Sequence, residues 1–189
     1  ALQQTATFTL NLTDVAEAAV PFITRWRLET TDLTIRLPLY EGSAEDPTEY
    51  DFRVDWGDGS DEGLVTAFDD PDARHTYSFS GVKTVTITGK LQGFSFGETS
   101  ESSSQFADVS QWGDMELGNA GGHFQGCENI FGFSAGDTPI LKLVTNMGEM
   151  FREALLFNQA LSSWDVSSVT DMSRMFFRAT SFNQALSSW

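Results

Sequence analysis

The chain has 189 residues, 40% of them hydrophobic, which is enough for the core of one or two small domains without disulfides. Its 27 acidic and 11 basic residues give a net charge of −16, which disfavours nucleic acids and anionic membrane surfaces as partners. The single cysteine, Cys127, excludes an intrachain disulfide and a cysteine-based zinc site. No apolar run is long enough for a transmembrane helix, so no membrane insertion is predicted.

The charge is unevenly distributed along the chain. Residues 41–72 contain 12 acids and one base, whereas residues 144–189 contain four acids and three bases. We therefore predict two differently built segments, divided as an N-terminal strand extension (1–21), a β-sandwich (22–96), a polar linker (97–105), and a capping coil with repeats (106–189). The start at Ala1, without an initiator Met or a signal sequence, suggests a processed or trimmed chain.

Apolar and polar residues alternate in the first half of the chain. Residues 6–13 place Phe8, Leu10 and Leu12 on one face, as expected for a half-buried strand. The same period of two recurs in residues 33–37, 50–56 and 82–88, and none of these segments has helical spacing. This half of the chain is predicted to be all-β.

A turn motif, Trp56-Gly-Asp-Gly-Ser60, follows one of these strands. Its Asp-Gly pair supplies the positive φ that a tight turn needs. Together with the later His75-Thr-Tyr77 and Val82-Lys-Thr-Val85, it resembles the polycystic-kidney-disease-type (PKD) immunoglobulin-like sandwich over residues 22–96. The phenylalanine of the common PKD turn is missing here, so the match is to a variant. The resemblance implies a β-sandwich fold.

The acids around this turn offer the one candidate metal site. Asp55, Asp58 and Asp61 could supply carboxylate oxygens to calcium, although their spacing is not that of an EF-hand loop. Alternatively, Asp58 shapes the turn through its side chain while the other carboxylates are solvated. His75 is interpreted as a packed or hydrogen-bonded structural residue. We predict no catalytic residues and no other cofactor.

The second half of the chain repeats itself at an offset of 25. Residues 144–164 and 169–189 are identical at 14 of 21 positions. The apolar positions of the second copy follow i, i+3, i+4 and i+7 spacing, which predicts a short helix, and residues 165–169 are predicted to form the strand of each coil. These apolar positions are Met172, Met175, Phe176 and Ala179. A Met/Phe stripe at this spacing is more typical of solenoid core than of a ligand groove.

A degenerate copy of the repeat lies upstream. Residues 124–130 match residues 151–157 at an offset of 27, so Cys127 takes the position of Ala154 and Ala179. Cys127 is therefore predicted to be a core residue. Residues 106–118 are predicted to form the capping coil that terminal repeats require.

The repeat pattern V-T-x-M-x-x-M-F-x-x-A-x-x-F-N-Q-x-L-x-x-W resembles the repeat of bacterial, BspA-like leucine-rich-repeat surface proteins. In that family a PKD-like domain and a Q-W-G-D segment, here Gln111 to Asp114, often precede the repeats. The predicted fold class is therefore α+β, an immunoglobulin-like (PKD-like) sandwich followed by a short leucine-rich-type β/α solenoid. The resemblance implies an extracellular or cell-surface location and a role in adhesion or protein–protein interaction.

Three functions remain open from the sequence. The first is a non-enzymatic surface protein that mediates adhesion or binds other proteins. The second is a self-assembling structural subunit of an extracellular filament, surface layer or particle coat, in which copies of the chain form a homo-oligomer; here the end of the sequence part-way through a repeat, at Trp189, suggests a coil end that needs covering. The third, a carbohydrate-active enzyme, is disfavoured because no pair of carboxylates is singled out among the 27 acids.

Overall fold

The structure is a computed structural model that describes residues 19–97 and 101–189. The predicted strand at residues 6–13 lies outside the described residues. The described residues form seven strands, and β2, β3 and β6 confirm the strands predicted at residues 33–37, 50–56 and 82–88. The strands are β1 (Phe22–Leu28), β2 (Thr34–Arg36), β3 (Glu49–Asp55), β4 (Gly63–Val65), β5 (Arg74–Thr76), β6 (Gly81–Gln92) and β7 (Phe106–Gln111).

The strands form two antiparallel sheets. The larger sheet has the order β4-β3-β6-β1-β7, and β2 pairs with β5 in a second, two-stranded sheet. Strand β3 buries Tyr50, Phe52 and Val54 and exposes the residues between them, as its period of two requires. In β1 the buried Trp26 indole N–H donates to the Thr24 hydroxyl at 2.8 Å, which satisfies both polar groups inside the core.

The β7 strand has an edge that a loop covers. Residues 106–111, which the sequence-based division placed in the capping coil, pair with β1. On the outer side of β7, the Ala135 N–H donates to the Val109 carbonyl at 3.0 Å. The Asp137 carboxylate accepts from the backbone N–H groups of Trp112 and Gly113. These contacts occupy backbone groups that an exposed edge strand would leave open to other chains.

The coil stack, residues 116–189, grows directly from the sheet. Beyond the end of β6, the N–H groups of Gly93 and Phe94 donate to the carbonyls of Glu116 and Leu117 at 2.9 Å. We define coil 1 as residues 117–143, coil 2 as 144–168 and coil 3 as 169–189. The residues 20–97 and 101–115 are called the β domain. One hydrophobic core runs through both parts.

Aromatic rings stack from coil to coil in the middle of the stack. The Phe124 ring is 5.7 Å from the Phe151 ring, which is 5.6 Å from the Phe176 ring, with interplanar angles of 14° and 9°. A second column places Phe157 and Phe182 6.0 Å apart at 5°. The repeat spacing therefore brings identical residues into register.

The predicted α+β class with its β/α solenoid is wrong, because the coils contain no α-helix. Within residues 19–97 and 101–189 the helical segments are two 3-10 turns, Pro71–Ala73 and Ser103–Gln105. In coil 2 alternate N–H groups leave the segment and donate to carbonyls of coil 3, all at 2.8 Å. These N–H groups cannot form the i to i−4 bonds of an α-helix. The donor and acceptor pairs are Met147 with Asp171, Glu149 with Ser173, Phe151 with Met175, and Glu153 with Phe177.

Of the remaining N–H groups of this segment, that of Gly148 donates to the Asn146 side chain, and the others close overlapping turns. Met150 donates to the Met147 carbonyl, and Arg152 donates to the Glu149 carbonyl. Positive φ recurs every fourth residue, at 57° in Glu149 and 60° in Glu153. A unit of four residues buries positions i, i+3, i+4 and i+7, as an amphipathic helix does. The apolar pattern therefore identified the buried face correctly but not the backbone conformation.

The strand predicted at residues 165–169 is also wrong, because this segment forms a turn. The Val169 N–H donates to the Val166 carbonyl at 2.9 Å, and the Asp165 carboxylate accepts from the Ser167 N–H at 3.1 Å. Side-chain capping by Asp and Ser favours a turn over an extended strand. The strand-like pairing lies elsewhere, in isolated parallel bridges. Asn146 pairs with Asp171 between coils 2 and 3, and Glu116, just before coil 1, pairs with Ile140 of coil 1.

Candidate functional site

The overlapping turns of the three coils stack into one continuous surface, which we call the turn ladder (residues 120–127, 147–154 and 172–179). Its left-handed positions fall in two columns. One column contains Gly122, Glu149 and Arg174, with φ between 52° and 57°, and the other contains Gly126, Glu153 and Arg178, with φ between 59° and 70°. This conformation costs a non-glycine residue about 1–2 kcal/mol. Coils 2 and 3 place charged residues where coil 1 has glycine.

Opposite charges occupy the same column in coils 2 and 3. Arg174 lies 3.5 Å from the Glu149 carboxylate, and Arg178 lies 3.1 Å from Glu153. Arg152 contacts both glutamates, Glu149 at 3.1 Å and Glu153 at 3.9 Å. Charged pairs in adjacent coils disfavour a shifted register, since a shift would separate them or bring like charges together.

A short cleft lies beside these pairs. Arg152, Arg174, Phe177 and Arg178 line a volume of about 350 Å³. The guanidinium carbons of Arg152 and Arg178 lie 5.8 Å and 5.3 Å from the centre of the Phe177 ring, within the range of a cation–π interaction. Phe177 is 47% exposed. We call this feature the arginine cleft.

The differences between coils 2 and 3 are confined to the turn ladder and the residues next to it. Of the 21 aligned positions seven differ, and all seven lie between residues 146 and 156 of coil 2. In coil 3 each of the seven residues is exposed. They are Asp171, Ser173, Arg174, Phe177, Arg178, Thr180 and Ser181. The repeat keeps its core and changes the chemistry of this one face.

Of the candidate calcium residues, Asp55 ends β3, and Asp58 and Asp61 lie in the connection between β3 and β4. The Asp55 carboxylate accepts from the Gly57 N–H at 2.8 Å, and Asp58 accepts from the Ser60 N–H at 3.1 Å, so Asp58 shapes the turn as predicted. Asp61 is exposed. Across residues 19–97 and 101–189, no group of three His, Cys, Asp or Glu residues is arranged to hold a metal ion. Calcium binding at this turn stays a prediction.

His75 is packed and hydrogen-bonded, as expected for a structural residue. Its ring stacks on Trp56 at 5.2 Å and meets Tyr77 edge-on at 4.6 Å, while Nε2 lies 2.8 Å from the Asp58 carboxylate. Hydrogen bonds from Ser60 and His75 lower the pKa of Asp58 to about 2. The Tyr77 hydroxyl donates to the Trp56 carbonyl at 2.9 Å. The turn and the H-x-Y segment thus form one cluster.

Two chemically reactive residue types are buried inside coil 1. Cys127 is fully buried, which confirms its predicted place in the core, and burial raises the pKa of its thiol. His123 takes the position of Met150 and Met175 in the later coils. Its Nε2 lies 3.2 Å from the Gly118 carbonyl, and burial lowers its pKa to about 4. Both side chains are enclosed by core residues.

The arginine cleft was not singled out from the sequence, although a signal was available. Glu149 and Arg174 are separated by one repeat length, as are Glu153 and Arg178. In a repeat array, such pairs must be neighbours if the coils stack in register. The sequence comparison considered the positions at which the two copies are identical, and these are mostly core positions. The charged pairs lie at positions where the copies differ.

A match to a known family covers the coil stack. The family described as "Mycoplasma protein of unknown function, DUF285" matches residues 122–189. The matched region contains most of coil 1 and all of coils 2 and 3, and contains no strand of the larger sheet. Comparison with curated proteins and with solved structures finds no match. A search of the described residues finds no helix long and apolar enough to span a membrane.

Proposed function

We propose that the chain is an extracellular, non-enzymatic surface protein whose coil stack binds other proteins through the turn ladder. The observation that carries this proposal is the distribution of differences between coils 2 and 3. The 14 shared positions maintain the repeat, whereas the seven changed ones are exposed in coil 3 and confined to one face. A repeat array binds partners through such a face, because substitutions there leave the core intact.

The composition of this face fits protein recognition. Arginine and aromatic side chains are enriched at the centres of protein interfaces, and the arginine cleft combines three arginines with an exposed phenylalanine. The resemblance of the repeats to BspA-like surface proteins supports an extracellular location and an adhesive role.

The proposal is tested by the binding of the labelled full chain to intact cells and to a panel of purified matrix proteins. The double variant Arg152→Ala/Phe177→Ala should lose at least tenfold in affinity for any partner that is found. Phe79→Ala is the control, because Phe79 is exposed in the β5–β6 connection of the β domain and is not part of the turn ladder. Equal binding by both variants, or no binding by the wild type to any member of the panel, would contradict the proposal. Antibody labelling of intact source cells tests the location separately.

A further inference from the structure

We propose that the arginine cleft docks the acidic β3–β4 connection of a second copy of this chain, so that copies associate head to tail. This inference rests on the proposed function, because it names the partner of the turn ladder. It starts from the unused hydrogen-bonding capacity of two side chains of the cleft, Arg174 and Arg178. A guanidinium has five N–H donors. Arg174 and Arg178 have exposed side chains, at 71% and 65%, and each contacts one glutamate of coil 2.

The cleft is a cationic surface on an acidic chain. Its lining contains three arginines, in a chain whose net charge is −16. Guanidinium groups pair with carboxylates through two parallel hydrogen bonds, and the guanidinium groups of Arg152 and Arg178 both lie over the Phe177 ring. The chemistry that fits this arrangement is a pair of adjacent carboxylates on an exposed loop.

The β domain of the same chain provides such a loop. Asp61 and Glu62 are consecutive and exposed in the connection between β3 and β4. In the part of the chain that the structure describes, neither residue forms an ion pair with a lysine, arginine or histidine. The neighbouring Asp58 carboxylate is already engaged by His75. Asp61 and Glu62 are therefore two exposed carboxylates that can pair with the arginines of the cleft.

Geometry favours an intermolecular contact. Coils 1 and 2 stand between the β domain and coil 3, so the loop and the cleft of one copy belong to opposite ends of the described structure. A contact between two different patches is heterologous, and each added copy leaves one loop and one cleft unoccupied. The predicted product is an open chain of copies, whose length grows with concentration.

Salt should affect this association in two opposite ways. Two copies of charge −16 repel each other over about 30 Å at 0.01 M salt, whereas this range shrinks to about 8 Å at 0.15 M. The local contact between the cleft and the loop is weakened only when the range falls to about 3 Å at 1 M. We expect association to be strongest at intermediate salt, and weaker at both extremes.

The test is charge-reversal complementation, measured by sedimentation velocity with the full chain over a concentration series. Arg174→Glu/Arg178→Glu and Asp61→Lys/Glu62→Lys should each be monomeric alone, and an equimolar mixture should associate again. Glutamate already has this left-handed conformation at the equivalent positions of coil 2, so the backbone accepts the cleft variant, which replaces two ion pairs with like-charge contacts to Glu149 and Glu153; recovery of association in the mixture shows that the variant is folded. Arg27→Glu/Lys142→Glu is the control, because it changes the net charge equally at exposed residues outside the cleft.

Three results would overturn the inference. They are a wild-type chain that stays monomeric at every salt concentration, a mixture of the two variants that fails to associate, and a cleft that binds heparin in an Arg174- and Arg178-dependent manner without self-association. The last result would assign the cleft to anionic polysaccharide. Binding to cells or matrix proteins by a strictly monomeric wild type would contradict this inference and leave the proposed function intact.

Discussion

The ring of Phe151 lies parallel to the ring of Phe176 in the next coil, with ring centroids 5.6 Å apart and an interplanar angle of 9°. Phe151 is fully buried and also stacks on Phe124 and Phe157, at 5.7 Å and 4.0 Å. Its ring therefore contacts aromatic rings of all three coils.

Phe151→Ala should destabilise the chain by about 3–5 kcal/mol, the usual cost of a large cavity in a packed core. The free energy of unfolding in urea provides the measurement. Phe79→Ala, at a residue 78% exposed, should change the free energy of unfolding by less than about 0.5 kcal/mol. Similar losses in the two variants would mean that the aromatic column does not hold the coils together.

The left-handed backbone of the turn ladder can be tested at Arg174, whose φ is 52°. Glycine adopts this conformation freely, whereas a β-branched residue is strongly strained there. Arg174→Val should therefore be less stable than Arg174→Gly by about 1–2 kcal/mol, as measured by urea denaturation. Both variants lose the contact with Glu149, so the comparison isolates the backbone. An equal or reversed ranking would argue against the four-residue turn unit.

His123 should make the stability of the chain depend on pH. Burial lowers its pKa from 6.5 to about 4, so the unfolded state binds more protons between these values. The free energy of unfolding should consequently fall as the pH drops from about 7 to 4, by about 3 kcal/mol from this residue. In His123→Met, which installs the residue of coils 2 and 3, this part of the decrease should disappear. Urea denaturation of both proteins across the pH range compares them, and parallel curves would refute the assignment.

Gly118 and Tyr40 should be energetically coupled. A Cβ at Gly118 would collide with the Tyr40 hydroxyl oxygen, and the φ of 79° would strain it further. The Tyr40 hydroxyl donates to Asp46 at 2.8 Å, and Asp46 accepts from the Asn119 N–H, which joins the β domain to coil 1. Gly118→Ala should therefore be destabilising.

In a Tyr40→Phe background the cost of Gly118→Ala should be smaller, because the clashing oxygen is gone and about 1–2 kcal/mol of backbone strain remains. A double-mutant cycle of unfolding free energies measures this difference. Additive effects would show that the hydroxyl does not crowd the glycine.

The sequence predicted the core of the coils better than their backbone. The alignment of the repeats identified Cys127, Ala154 and Ala179 as one buried column, and the structure places all three inside. The helix prediction failed because a four-residue turn unit and an α-helix both bury residues at positions i, i+3, i+4 and i+7. The local pattern of apolar residues does not show which carbonyls accept from the backbone N–H groups. In coil 2, alternate N–H groups donate to carbonyls of the next coil.

In the β domain, too, the sequence pattern predicted the strands that alternate but not a strand that depends on pairing with a distant segment. Strand β3 alternates strictly and was predicted, whereas β7 buries only Phe106 and Val109 and takes its place through pairing with β1. The arginine cleft combines residues of two coils, so it becomes visible only when the differing positions of the repeat are aligned. The three arginines and Phe177 form a cleft only because coils 2 and 3 stack in register.

The hydrogen bonds between neighbouring turns of the ladder have a mechanical consequence. Each coil is held to the next by a short series of parallel bonds and by ring stacking, and each contacts mainly its neighbours. Tension along the stack would therefore peel coils away one at a time. Each event would release one repeat, which extends to about 80–90 Å of chain. Under load the coil stack would therefore lengthen in steps of this size.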